Sequence, residues 1–364
     1  MAKKRQSSLS SWVKSNRGIL ITILCLILLP FVIALIEGQS FSSLLANEAG
    51  QSKFYQGLVI EIFILALYAL SYDLLLGITG LLSFGHAMFF GVGAYLTGIL
   101  LKSFGWTLPP ILGAVAIAGV VMALLFSVVL PRVKGITFAL VTLGMAQVFY
   151  IAIQSRELAE YAGAEIGLQG VIPPEFLSPV DQRLRFYFIA LTVLFVVYFI
   201  YKRFMDSPTG HVSIAIRENE DRATMLGYNT FYYKLVALIL SAITAALAGA
   251  MHGLFNPIIR PGVAGTGMTL TALLMILIGG IGTLNGALLG AAVFRLLSFF
   301  LEKWFGGASQ VILGLVYVLL VLFMPYGIVG TYQRKALEIK AGRERLMGYF
   351  RKKGKDRNGS ESSH

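Results

Sequence analysis

Apolar runs of about 20 residues recur along the whole chain, the length an α-helix needs to cross ~30 Å of hydrocarbon. The first covers 19–36, and the others lie near 57–76, 83–101, 109–130, 135–153, 184–204, 233–255, 268–284, 286–302 and 308–324. No soluble globule could cover so much apolar surface, because only 13% of the 364 residues are Asp, Glu, Lys or Arg while 57% are hydrophobic. That charged share is about half the usual soluble value. The pattern predicts an all-α integral membrane protein of about ten transmembrane helices. The third, eighth and ninth runs are glycine-rich and separated by almost no loop, so the count is least defined around 77–101 and 268–302.

Charge placement orients the bundle. Ten spans put both basic termini on one side, and the segments on that side (1–18, 131–134, 201–234 and the tail from Pro325) hold 22 Lys plus Arg. The opposite loops hold seven. Basic residues collect on the cytoplasmic face, so the sequence predicts cytoplasmic termini. The net charge of +12 is then a topology signal and gives no support for nucleic-acid binding. The run 19–36 follows five basic residues as a signal peptide does, but it is long for one and lacks a clean cleavage site, which favours an uncleaved span. The sequence thus divides into a basic N-terminus (1–18), a membrane domain (19–330) and a basic tail (331–364). That tail is partly amphipathic (Leu337, Ile339, Leu346, Tyr349, Phe350), and its last residues have the composition of a disordered segment. Cys25 is the one cysteine, which excludes intrachain disulfides and thiolate clusters.

Two loops stand out. The outer loop, about 154–183, carries five acids and Pro173-Pro174. The inner loop, about 205–232, opens with Asp206-Ser207-Pro208, a helix-start signal, and stops at Gly227. Between them the spacing of Ile216, Asn219, Ala223 and Leu226 predicts one short helix, stiffened by Arg217–Asp221 and Glu218–Arg222 pairs four residues apart. Such a charge-dense helix projecting from an apolar bundle is either a solvated connector or a docking element for a partner.

Inside the bundle, Gly77 to Tyr95 places five glycines among Thr79, Ser83 and His86. Broken, glycine-rich helices are tolerated at membrane depth where they line a cavity. His86 reads as a packed or capping residue or as part of a pathway, and the third option, a Ser83–His86 nucleophile and base, lacks an acidic partner nearby. Gly282, Gly286 and Gly290 form overlapping GxxxG steps, and Ala245, Gly249 and Gly253 a similar small-residue row, both signs of close helix packing. Glu61, Asp73 and Arg295 fall within predicted spans: the two acids are read as reaching the interfaces, and Arg295 as snorkelling or pairing with a carboxylate. No G-x-x-x-x-G-K-[ST] or H-E-x-x-H motif occurs, so ATP hydrolysis and metal catalysis in this chain are not expected.

SFGHAMFFGVGAY (83–95), SPTGHVSIAIRENEDRATMLGYN (207–229) and Gly279-Gly280-Ile281-Gly282-Thr283 together resemble the permease family of branched-chain amino acid ABC importers, and within it the LivM-type subunit. The resemblance spans roughly 57–331. It implies a type II importer permease in a bacterial cytoplasmic (inner) membrane, with a LivH-type permease, two LivG/LivF-type ATPase subunits and an extracellular or periplasmic binding protein as partners. ATP and Mg would be bound by those ATPases, leaving this chain with no cofactor, metal or catalytic residue. The 207–229 loop would be the coupling helix, with Arg217, Glu218, Asn219, Glu220 and Gly227 matching the family's motif. Thr79, Ser83, His86, Thr137, Thr142 and Gln147 are the expected pathway residues. The family's outer-loop Thr-Gly-Gly-x-x-Gly-Leu is only partly kept, as Ala162-Gly163-Ala164-Glu165-Ile166-Gly167-Leu168. Branched-chain amino acids are the expected cargo, with urea or short amides as the alternative. A self-contained carrier or channel is the rival from another class.

Overall fold

The computed structural model describes residues 17–38 and 50–332. Apart from Arg17, Gly18, Thr331 and Tyr332, the basic N-terminus and the amphipathic tail read from the sequence lie outside the described residues. The membrane domain runs through α1 (Arg17–Ile36), α2 (Gln51–Tyr72, prolonged by a π-helical turn, Asp73–Ile78), α3 (Ala87–Lys102), α4 (Leu108–Ser127) and α5 (Ile136–Gln154). It continues with α6 (Arg183–Met205), the short α7 (Pro208–Glu218) and α8 (Glu220–Met225), then α9 (Thr230–Phe255), α10 (Thr266–Gly279), α11 (Leu284–Phe305) and α12 (Ser309–Phe323). Strand structure among the described residues is one antiparallel pair, β1 (Leu168–Gln169) with β2 (Ile258–Ile259), so no barrel forms.

Among the described residues, seven stretches are long and apolar enough to cross a membrane: 18–36, 52–78, 108–127, 136–154, 183–205, 230–255 and 284–320. This differs from the ten runs read from the sequence for two geometric reasons. α3 and α10 are apolar but short, at 16 and 14 residues, or about 24 and 21 Å at 1.5 Å per residue. α11 and α12 are joined by a single 3-10 turn, Gly306–Ala308, and form one continuous apolar stretch.

α9 is the central post, packed most extensively on α3, α4 and α2. Its small-residue face lets two backbones nearly touch. A Cβ at Gly249 would collide with the Phe90 carbonyl of α3, and one at Gly93 of α3 would collide with the Ala246 carbonyl of α9. α10 and α11 meet the same way, Gly286 against Gly279 and Gly290 against the Met275 carbonyl. Gly282, read as part of that row, lies instead in the turn between the two helices, at φ +77°. In hydrocarbon, where water cannot drive helices together, such dispersion contacts and interhelical hydrogen bonds carry the packing. The bonds are present: Ser241 Oγ donates to the Ser71 carbonyl (2.6 Å), Tyr201 Oη to Thr244 Oγ1 (2.8 Å), Tyr198 Oη to Asn285 Oδ1 (2.8 Å) and Tyr187 Oη to the Leu26 carbonyl (2.7 Å).

Arg295 takes the second of the two outcomes read from the sequence, pairing with a carboxylate. That carboxylate is Glu61 of α2: Arg295 of α11 donates to its Oε2 through both Nε and Nη2, each at 2.5 Å. Asp73, read as reaching an interface, is fully buried within the protein.

The outer loop folds as a cap. A helical turn at Ala159–Ala162 leads into β1, and Leu168 and Val171 are buried with Ala94, Tyr95, Ile153 and Ile259. Tyr95 Oη donates to the Ile259 carbonyl at 3.1 Å. Ala164 adopts φ +48°, the left-handed region that costs an L-residue about 1 kcal/mol.

Two outcomes are expected. Gly249→Ala should lower stability by about 1–3 kcal/mol, because neither backbone can yield, while Gly144→Ala, with open space around it, should leave it unchanged; thermal unfolding in detergent compares them. Ala164→Gly should raise the unfolding midpoint, by roughly 0.5–1 kcal/mol of relieved strain.

Candidate functional site

The polar α7–α8 pair sits at the end of the bundle where α2, α9 and the α4–α5 and α10–α11 turns also arrive. Ser207 caps α7, its Oγ accepting from Gly210 N at 3.2 Å, and Pro208 follows at the first helical position. Gly227, at φ +90°, ends α8. Between them the expected single helix is two. Asn219 is extended (φ −161°, ψ 101°), closing α7 and opening α8 by accepting from Arg222 N at 2.8 Å through Oδ1. An Asn followed by Glu220 and Asp221 is itself a helix-start signal, with the acids favourable at the helix N-terminus. That signal lay inside a run whose 3.6-residue spacing argued for continuity.

The break redirects the charges. The Arg217–Asp221 and Glu218–Arg222 pairs do not form. Glu220 instead accepts from Lys234 Nζ (2.5 Å) and Thr230 Oγ1 (3.1 Å) at the start of α9. Lys134, in the α4–α5 turn, bonds Asp221 at 3.1 Å and lies 4.0 Å from the second Glu220 oxygen. The Asp221 hydrogen bond, then the charges of Glu220 and Asp221, hold the Lys134 ammonium above the usual lysine range.

Arg217 reaches inward. Its Nη1 donates to the Gly77 carbonyl, freed where α2 widens into its π turn. Its Cα, Cβ and Cγ lie 3.1–3.2 Å from where a Cβ on Gly80 would stand. On the far side, Gly282 N donates to Asp73 Oδ1 at 2.7 Å. α7 is thus joined to α2 and to the α10–α11 turn through one polar knot, in which Asp73 and Gly77 are buried and Arg217 is exposed. Away from these clamps, Met225 and Leu226 are 87% and 73% exposed, an apolar tip left uncovered by the described residues.

The expected pathway residues divide. Thr79, Ser83, His86 and Thr142 are buried, whereas Thr137 and Gln147 lie on an exposed stripe of α5 with Gly144 and Val148. His86 Nε2 is 2.8 Å from Ser71 Oγ, and its ring packs against Tyr68 and Tyr72. The Ser83 hydroxyl has no partner among the described residues, so no nucleophile–base pair joins Ser83 to His86.

Apolar helices long enough to cross a bilayer, with a polar helix pair clamped at one end, define a multi-pass membrane protein. The family described as the branched-chain amino acid transport system / permease component matches residues 54–324, and the chain belongs to it. It is similar to the high-affinity branched-chain amino acid transport system permease protein LivM of Escherichia coli, 26% identical over 75% of this chain and 69% of that protein. The corresponding protein BraD of Pseudomonas aeruginosa is 26% identical over 73% and 91% of the two chains. LivH of Escherichia coli is 22% identical over the same shares, 73% and 91%. No solved structure matches.

Removing the Glu220 carboxylate should matter more than removing Lys134. Glu220→Gln strands Lys234, whose side chain is only 8% exposed, at a cost of about 1–3 kcal/mol. Lys134→Ala breaks only an exposed pair and should leave the unfolding midpoint unchanged.

Proposed function

We propose that the chain is the permease subunit of an ATP-driven importer that carries branched-chain or related amino acids across the cytoplasmic membrane of a bacterium. It performs no chemistry. A LivH-type permease completes the translocation unit, two ATPase subunits bind ATP and Mg and hydrolyse the nucleotide, and an external binding protein delivers the substrate. In this reading all ten helical runs span, the short α3 and α10 included, and both termini are cytoplasmic.

The observation that carries the reading is the α7–α8 pair. Its caps and its ties to Lys134, Lys234 and Gly77 make it stiff, and its exposed Met225–Leu226 tip is suited to an apolar groove on an ATPase subunit. A solvated connector would need neither the ties nor the tip. Movement of this lever would tilt the helices fixed to it. The weakly polar stripe of α5, with Thr137 and Gln147, would face the second permease and line the pathway, with Thr79, Ser83, His86 and Thr142 shaping it from behind. Few fixed charges along such a stripe suit a net-neutral zwitterion that must bind weakly and leave.

The test is purification from the native membrane followed by uptake in proteoliposomes. ATPase subunits should co-purify, and Met225→Asp with Leu226→Asp should release them and abolish ATP-dependent uptake. Uptake by the chain alone, with no ATPase present, would instead establish a self-contained carrier. Ligand titration of the cognate binding protein identifies the cargo.

A further inference from the structure

The polar knot beneath α7 contains one atom that its known bonds leave unexplained. Asp73 is fully buried at the π-helical end of α2. Its Oδ1 accepts from Gly282 N at 2.7 Å, but its Oδ2 has no partner among the described residues. A buried carboxylate oxygen without a hydrogen bond is costly and rare in a settled structure. The nearest cation is Arg217, close enough to act on Asp73 electrostatically, yet the two side chains form no ion pair. The guanidinium rests instead on the neutral Gly77 carbonyl, a weaker acceptor than a carboxylate.

The surroundings leave room for little else. A Cβ at Gly77 would collide with Asp73 Oδ1, and one at Gly282 would stand 2.6 Å from Arg217 Nη1. Carboxylate, guanidinium and two glycine backbones therefore share one small volume, joining α2, α7 and the α10–α11 turn.

We propose that Asp73 is a positioning residue of the coupling path, its free oxygen being a second seat for Arg217. In this structure the guanidinium is seated on Gly77; when α7 advances, it moves onto the carboxylate. Because Asp73 also holds Gly282, the exchange pulls on the α10–α11 turn and carries a displacement at the surface into the membrane helices. This rests on the coupling role given to α7 above.

The experiment is a double-mutant cycle in the purified, reconstituted complex, reading substrate transported per ATP hydrolysed. Asp73→Asn keeps an acceptor for Gly282 N–H but removes the charge; Arg217→Gln removes the cation. Each should lower the ratio by about tenfold, in the range of a coupling free energy, and the double variant should be no worse than either single one. Arg217→Lys, which keeps charge but loses the planar fork, should recover part of the loss. Effects that multiply, or an unchanged ratio in assembled Asp73→Asn complexes, would overturn the two-seat exchange. If Asp73→Asn does not assemble, Arg217→Gln and Arg217→Lys decide it: a partial recovery by Lys supports the exchange, and an unchanged ratio in both overturns it. A wild-type preparation that transports without ATPase subunits would overturn the permease reading itself, a result separate from failure of the cycle.

Discussion

Every backbone group exposed by a broken membrane helix must find a partner inside the protein, because the hydrocarbon offers none. The interval between α2 and α3 is where this demand is greatest, and much of the bundle is arranged to meet it. Gly80 N and Leu81 N fold back to the Leu76 and Leu75 carbonyls, and Thr79 Oγ1 takes that of Leu74. Tyr72 Oη covers the Ser83 carbonyl, and Thr269 of α10 accepts from Ala87 N, the first donor of α3. The Gly77 carbonyl is met by Arg217 of the polar α7. A break in one helix has in this way recruited α10 and α7 as its caps.

The same demand explains the glycines. Short α3 can stay at depth only if its neighbours come close, and the reciprocal approach of Gly93 and Gly249 brings α9 to its backbone. α10 is likewise held by Gly286 and Gly290 of α11. α1, without such a face, has only 11% of its apolar window buried among the described residues.

Local signals in the sequence were the most legible. Apolar runs located the membrane helices, and Ser207-Pro208 and Gly227 bounded the polar helix pair. What escaped was either competition between two local rules, as at Asn219, or contact between residues far apart in the chain. Arg295 and Glu61 are 234 positions apart, and Gly282 and Asp73 are 209 apart. The sequence could nominate Arg295 as needing a carboxylate, but no spacing chooses Glu61. The i,i+4 pairs expected for Arg217 and Glu218 were sound arithmetic on a helix that ends at Glu218, before either partner is reached. The span count depended on helix length, and α3 and α10 fall short of the length a hydropathy window assumes.

Asn219 is shared by two helices, and this has a mechanical consequence. Besides its packing on α6 and α9, α7 is tied by Arg217 to the Gly77 carbonyl at the end of α2, whereas the ion pairs of α8 go to α9 and the α4–α5 turn. A single extended residue separates the two sets of fastenings. The two short helices therefore carry separate polar ties on either side of one extended residue, a joint at which the angle between them can change while both ties hold.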